Sequence, residues 1–415
     1  MKKFLSLIVL TIILSGSLFS QDCLNDVYYT VMNQNAPGKA KSQFDKKCMT
    51  GNEGNAAVWL MKGNVYVRYY IYELELKKKN KDYQIKNPDI ILEAVEAFYK
   101  ALELDKNIEP MNRMLGAKEG QRNSARDVED LGFKYLDEGN YDKAIECFTI
   151  AQRCYKIQLP GASVDEESIF KTNYYIYTVY KLKKDTTNYK SYLTKAYSYK
   201  DNKIVSIYKD MYALYLSEND TTKLKDVIKK AKRNFPDTFP DTKALFDIKM
   251  LELNYLYLVK SDSVKPLSLQ LLNSIPIDTL NQDQILQVMD YLLNVGAITE
   301  LETYIDQFLA KYESNFAFTL YKGDLYFKKF LDSQDEQEMV RKSDMNNSDK
   351  VKRGNEIIEE GKLHLANSHT WYEKAYLINP NDKHLVKNLY QVKKRTFKPI
   401  DPELEQRFKE IMTGN

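Results

Sequence analysis

Residues 126–156 read RDVEDLGFKYLDEGNYDKAIECFTIAQRCYK, and this stretch decides the fold. Gly132 is followed three residues later by Tyr135; Gly139-Asn140-Tyr141 then precedes Ala144, Phe148 and Ala151. Intervals of three, four and seven place apolar residues on one face of a helix, and residues 138–140 carry a turn signal. Gly132, Ala144 and Ala151 are small enough to let two helices come close, while Tyr135 and Phe148 fill the space between them. The spacing therefore predicts two amphipathic helices joined by a tight turn.

This order of small and large residues resembles the tetratricopeptide repeat, a helix–turn–helix unit of about 34 residues. The pattern returns twice, each time interrupted. Trp59, Gly63 and Tyr66 resemble a first helix, and Ala94, Phe98 and Ala101 its second, with extra charged sequence around Lys77 to Lys86 between them. Gly323 and Tyr326 again resemble a first helix, and Tyr372, Ala375 and Asn379-Pro380 the end of its second. The intervening segment 333–362 is rich in charge. It is expected to lengthen both helices and to hold an exposed loop near Asn346-Asn347-Ser348.

The middle of the chain repeats the helical spacing without the glycines. Apolar periodicity predicts helices over 169–183, 189–199, 204–217, 223–234, 242–258, 266–273, 282–295 and 300–312. Turn signals such as Asp185-Thr186-Thr187, Asn219-Asp220-Thr221 and Gly296 separate them. The expected fold class is all-α, a right-handed superhelical solenoid of stacked tetratricopeptide-like hairpins in one continuous array. Residues 21–55 read as an N-terminal cap or lead-in, 56–382 as about seven repeats with insertions near 77–90 and 333–362, and 383–415 as C-terminal capping helices.

The first twenty residues have the layout of a secretory signal. Lys2 and Lys3 precede a run from Phe4 to Leu14 that is apolar except for Ser6 and Thr11, and small or polar residues follow to Ser20. The run is short for a membrane span. Residues 1–20 are thus expected to be a signal peptide, and the chain to be exported to the periplasm, the cell surface or the medium. Cys23 lacks the small preceding residues of a lipidation signal. In an oxidising compartment Cys23 and Cys48 are a candidate disulfide. Cys147 and Cys154 lie seven residues apart on one predicted helix, about 10 Å along its axis, too far to bridge. They read as small core residues.

The composition excludes several functions. Basic residues number 61 and acidic 58, a net charge of +3, and Lys2 and Lys3 would leave with the signal. No concentrated basic patch points to nucleic acid, and membrane contact is expected only by association. The three histidines, His364, His369 and His384, fall into no metal-ligand spacing. No nucleophile elbow, dinucleotide fingerprint or phosphate loop occurs. Neither a catalytic site, a cofactor nor a metal is expected.

What the resemblance implies is protein interaction, with the first helix of each repeat lining a groove for a peptide or protein partner. By position, the candidate groove residues are Asn64 and Arg68, then Arg126 and Glu129, then Asp324 and Lys328. Arg68 and Arg126 would form a cation pair suited to a carboxylate. Asp-Thr and Asp-Ser turns at Asp185, Asp220, Asp262 and Asp278 resemble O-glycosylation sites on exported proteins of Bacteroidetes-type bacteria, although Asp, Ser and Thr also favour helix starts. Two functions follow as expectations. One is a scaffold of the cell envelope. The other is a glycan-binding helical-repeat protein of a polysaccharide uptake system, whose lipidation cysteine and tryptophan platforms this sequence lacks.

Overall fold

The computed structural model describes residues 21–274, 282–396 and 398–413. The expected signal peptide and the Asp278-Thr279 turn lie outside the described residues. Every regular element among the described residues is a helix. The fold is an all-α helical-repeat solenoid built from hairpins, with consecutive helices packed on one another over residues 37–198 and again over residues 221–413.

The chain divides between Leu214 and Tyr215 into two compact units. No glycine occurs between Gly161 and Gly296. The glycine–aromatic seams of the three clear repeats therefore have no counterpart in residues 162–295. The first unit holds α1 (21–32), α2 (Pro37–Lys47), α3 (Ala56–Lys79), α4 (Ile90–Leu104), α5 (Ala117–Asp137), α6 (Tyr141–Tyr155), α7 (Glu166–Leu182) and α8 (Thr186–Ser198). The division falls inside α9 (Val205–Ser217). The second unit continues with α10 (Thr221–Asn234), α11 (Thr242–Leu258), α12 (Val264–Ser274), α13 (Gln282–Asn294) and α14 (Ile298–Lys311). It ends with α15 (Phe316–Lys342), α16 (Asn347–Ile378), α17 (Lys383–Arg395) and α18 (Pro402–Thr413).

Short polar caps start many of these helices. Asn140, Asp165, Asp241, Asn315 and Asp382 each accept a hydrogen bond from a backbone N–H of the first turn, satisfying donors that have no partner within the helix. Asp185 and Asp220 do the same for α8 and α10, through the N–H groups of Asn188 and Lys223 at 3.1 and 2.9 Å. Helix capping thus accounts for two of the four aspartates in the Asp-Thr and Asp-Ser turns.

The three repeats recognised in the sequence share one packing device. A β-carbon placed on Gly63 of α3 would stand 2.6 Å from the ring of Phe98 on α4. One on Gly132 of α5 would meet Phe148 of α6 at 2.8 Å, and one on Gly323 of α15 would meet Tyr372 of α16 at 2.5 Å. In each hairpin a glycine on the first helix receives an aromatic ring from the second. Phe98 does this twice, because its ring lies closer still to Gly120 of α5. A single ring therefore locks α3, α4 and α5 together in the core of the first unit, where Phe98 is completely buried.

Cys23 and Cys48 are joined by a disulfide with Cα atoms 5.7 Å apart, tying α1 to the end of α2. Cys147 and Cys154 are separate, fully buried thiols on α6. Burial pushes each of them up to about 12, far from the reactive range.

The insertion near 77–90 folds back on its own repeat. Buried Glu73 of α3 accepts hydrogen bonds from the Tyr83 hydroxyl at 2.8 Å and the Lys86 N–H at 3.0 Å. The insertion at 333–362 extends α15 and α16 into a long hairpin whose turn, Ser343 to Asn346, lies beside the expected loop.

Candidate functional site

Three first helices of successive hairpins in the second unit, α13, α15 and α17, carry a connected set of polar side chains. On α15, Tyr321, Asp324 and Lys328 stand three and four residues apart and so share one face. The Tyr321 hydroxyl donates to the Asp290 carboxylate of α13 at 2.8 Å. His384 and Asn388 of α17, one turn apart, reach Asp324 from the other side at 2.9 and 3.1 Å. The Tyr372 hydroxyl, rising from the buried interior of the α15–α16 hairpin, donates to the same carboxylate at 2.6 Å. Asp324 thus joins the packing seam at Gly323 to the polar face.

The electrostatics of this face are acidic. Burial raises the Asp290 carboxyl above the usual range; the hydrogen bond from Tyr321 opposes this, and the charge of Asp324 adds to it. The hydrogen bond to Asp324 raises His384 above its ordinary value despite some desolvation. Among the described residues no lysine or arginine pairs with Asp290 or Asp324. Lys328, four residues along α15, is instead bound to Asp332 at 2.8 Å.

In the first unit the positions expected to line a groove separate. Asn64 is not a groove residue: it is only 2 % exposed. Its amide donates to the carbonyls of Leu60 and Leu115, each at 3.0 Å, and its oxygen accepts from the Leu115 N–H at 2.8 Å. It clamps the loop between α4 and α5, whose backbone groups need a partner once they are covered. Arg68 is half-buried on α3 and Arg126 is exposed on α5. Arg126 lies in the field of Asp127 and Glu129, carboxylates of its own helix. Burial raises Glu129, a hydrogen bond with Tyr155 opposes that, and Asp130 adds to the rise. The surroundings of Arg126 are therefore acidic, which works against a cation pair built to receive a carboxylate.

Of the expected positions, Asp324 is the one found at the centre of a network. Asp290, Tyr321, His384 and Asn388 were not anticipated. A signal for two of them was present: His384 and Asn388 are four apart on the predicted 383–395 helix and so share a face. Both tryptophans are engaged locally. Trp59 donates to the Glu53 carbonyl at 2.7 Å, and the Trp371 ring has the ammonium groups of Lys322 and Lys374 at 4.4 and 4.1 Å from its centre. Among the described residues no three His, Cys, Asp or Glu side chains come together to hold a metal ion, and no helix is long and apolar enough to cross a membrane.

The chain matches no protein-family profile and no curated relative. Solved structures do match it. PilW, a widely conserved type IV pilus biogenesis factor, is 11% identical, covering 66% of this chain and 98% of its own, with a TM-score of 0.26. Human IFIT1, solved as a dimer with PPP-AAAA, is 11% identical over 95% of this chain and 94% of its own, with a TM-score of 0.25. The P58(IPK) TPR domain is 15% identical over 90% of this chain and 97% of its own, with a TM-score of 0.18.

Proposed function

We propose that this chain is a non-catalytic protein-interaction scaffold of the bacterial cell envelope, holding a partner segment along the first-helix face of its second unit. The observation that carries this reading is the row of Asp290, Tyr321, Asp324, His384 and Asn388 on α13, α15 and α17. Successive repeats offer hydrogen-bonding side chains in register, and a bound chain can take one contact from each. The two carboxylates favour a segment that brings a basic side chain. Export is supported by the layout of residues 1–20 and by the Cys23–Cys48 disulfide, a bond that persists in oxidising compartments.

Site-specific photocrosslinking in the cells that make the protein tests the binding face. A crosslinker at Asp290 or Asn388 is expected to capture one and the same protein, whereas Gln307 and Lys374, exposed on the second helices α14 and α16, capture none. Equal capture from all four positions would overturn the assignment. Mass spectrometry of the protein from the envelope fraction tests export, with Gln21 expected at the N-terminus.

A further inference from the structure

The α15–α16 hairpin outruns the unit that supports it. From Tyr326 to Glu356 not one residue is buried, whereas Phe318 to Leu325 and Ile357 to Ala375 supply the buried positions of these two helices. A shallow cleft runs along one face of the free part, between Gln337 and Val340 of α15 and Val351, Gly354 and Ile358 of α16. Val351 is 63 % exposed and Ile358 37 %. Gly354 stands between them in mid-helix with nothing within 4 Å of where its β-carbon would be. A glycine there weakens the helix by about 1 kcal/mol relative to alanine, and no packing within the chain requires it.

Charge is distributed along the same hairpin in two blocks. The tip, residues 339–354, has five basic and two acidic side chains. The stem, residues 332–338 and 356–362, has seven acidic and one basic. Several of these charges already pair within the chain: Arg353 reaches Glu336 at 2.6 Å, and Lys362 reaches Glu359 at 2.7 Å. The net imbalance of the blocks nonetheless remains, positive at the tip and negative at the stem.

We propose that this hairpin is a self-association surface, on which two copies of the chain pack antiparallel about a two-fold axis. In that arrangement each basic tip lies over the acidic stem of the other copy. A two-fold interface brings the same patch to both sides, so a surface that is complementary to itself when reversed meets the requirement directly. Val351 and Ile358 supply the apolar centre, and Gly354 lets the partner helix approach closely. A parallel pairing would set tip on tip and stem on stem, which like charges oppose.

Sedimentation of the purified full chain over a range of concentrations tests this. A dimer is expected that weakens as salt is raised. Val351→Asp with Ile358→Asp, both at exposed positions, should weaken it by at least about tenfold with the circular dichroism unchanged. Gly354→Leu should raise the melting temperature of the monomer and still weaken the dimer, a pair of opposite effects that a folding defect does not produce. Reversing the tip (Lys342→Glu, Lys352→Glu) or the stem (Asp335→Lys, Glu360→Lys) should each abolish self-association. An equimolar mixture of the two variants should recover it, because each then meets its complement. A chain that stays monomeric at every concentration would overturn the proposal, as would a dimer indifferent to Val351→Asp and Ile358→Asp. A basic tip that binds phosphatidylglycerol vesicles while the chain remains monomeric would overturn it too.

Discussion

The ring of Tyr372 lies against Gly323 so closely that a β-carbon on that glycine would stand 2.5 Å from it, and the hydroxyl of the same tyrosine bonds Asp324 one residue on. Both groups on the ring are therefore fixed, and the neighbour cannot give way. Gly323→Ala should destabilise the second unit by roughly 1–3 kcal/mol through overpacking, with Gly63→Ala acting similarly in the first unit against Phe98. Gly354→Ala, in open space, should stabilise by up to about 1 kcal/mol. Thermal unfolding of the three variants checks the contrast between equal chemical changes.

His384 predicts a pH dependence with a definite sign. Its folded value is raised above 6.5 by Asp324, so the stabilisation it supplies is complete below the unfolded value. It is lost as pH climbs through the folded value. Burial lowers His364 and His369 and makes acid act on them in the opposite sense, so the comparison needs a variant. The stability difference between the native chain and His384→Gln should be larger at about pH 5.5 than at about pH 8.5. An NMR titration of the His384 ring should place its midpoint above that of a free histidine.

The Cys23–Cys48 bond closes a loop of sequence separation 25. On chain entropy alone, the constraint it places on the unfolded ensemble is worth about 3.5 kcal/mol. Cys23→Ser with Cys48→Ser should lower the unfolding midpoint of the first unit, and a reducing agent should do the same to the native chain and nothing further to the variant.

Glu73 makes a more local prediction. Burial would raise its carboxyl, but the Lys86 N–H and the hydroxyls of Tyr69 and Tyr83 outweigh that and hold it below the usual range. Glu73→Ala leaves those donors facing an apolar methyl and should cost about 1.5–3 kcal/mol. Limited proteolysis should then cut within Lys77 to Lys86 well before the rest of the chain, while Glu75→Ala, an exposed neighbour on α3, should leave the pattern unchanged.

What could be read from the sequence follows from the range of the interactions. The seams of Gly63 with Phe98, Gly132 with Phe148 and Gly323 with Tyr372 rest on a repeat pattern of residue sizes, and that pattern lies in the chain itself. The second contact of Phe98, with Gly120, falls outside the repeat pattern and was not anticipated. Asn64 was misassigned because a polar residue on a first helix looks the same whether it is wet or holding the Leu115 backbone, and the need for a clamp arises only when that loop is covered. Asp324 stood at a position where a groove residue was expected, yet its partner His384 is 60 residues away, and nothing local joins them. Asp290 comes from α13 in the diverged region, where no glycine or alanine sets the register, and Tyr321, although two residues before Gly323, finds its partner Asp290 only across to that helix.

The first-helix face of α13, α15 and α17 is the proposed partner site. Its most direct test is calorimetric titration of the protein captured at Asp290 against the native chain, Asp290→Lys and Gln307→Lys. Binding should weaken at least about tenfold, or roughly 1.4 kcal/mol, in Asp290→Lys and stay unchanged in Gln307→Lys. Equal affinity for all three chains would contradict the claim.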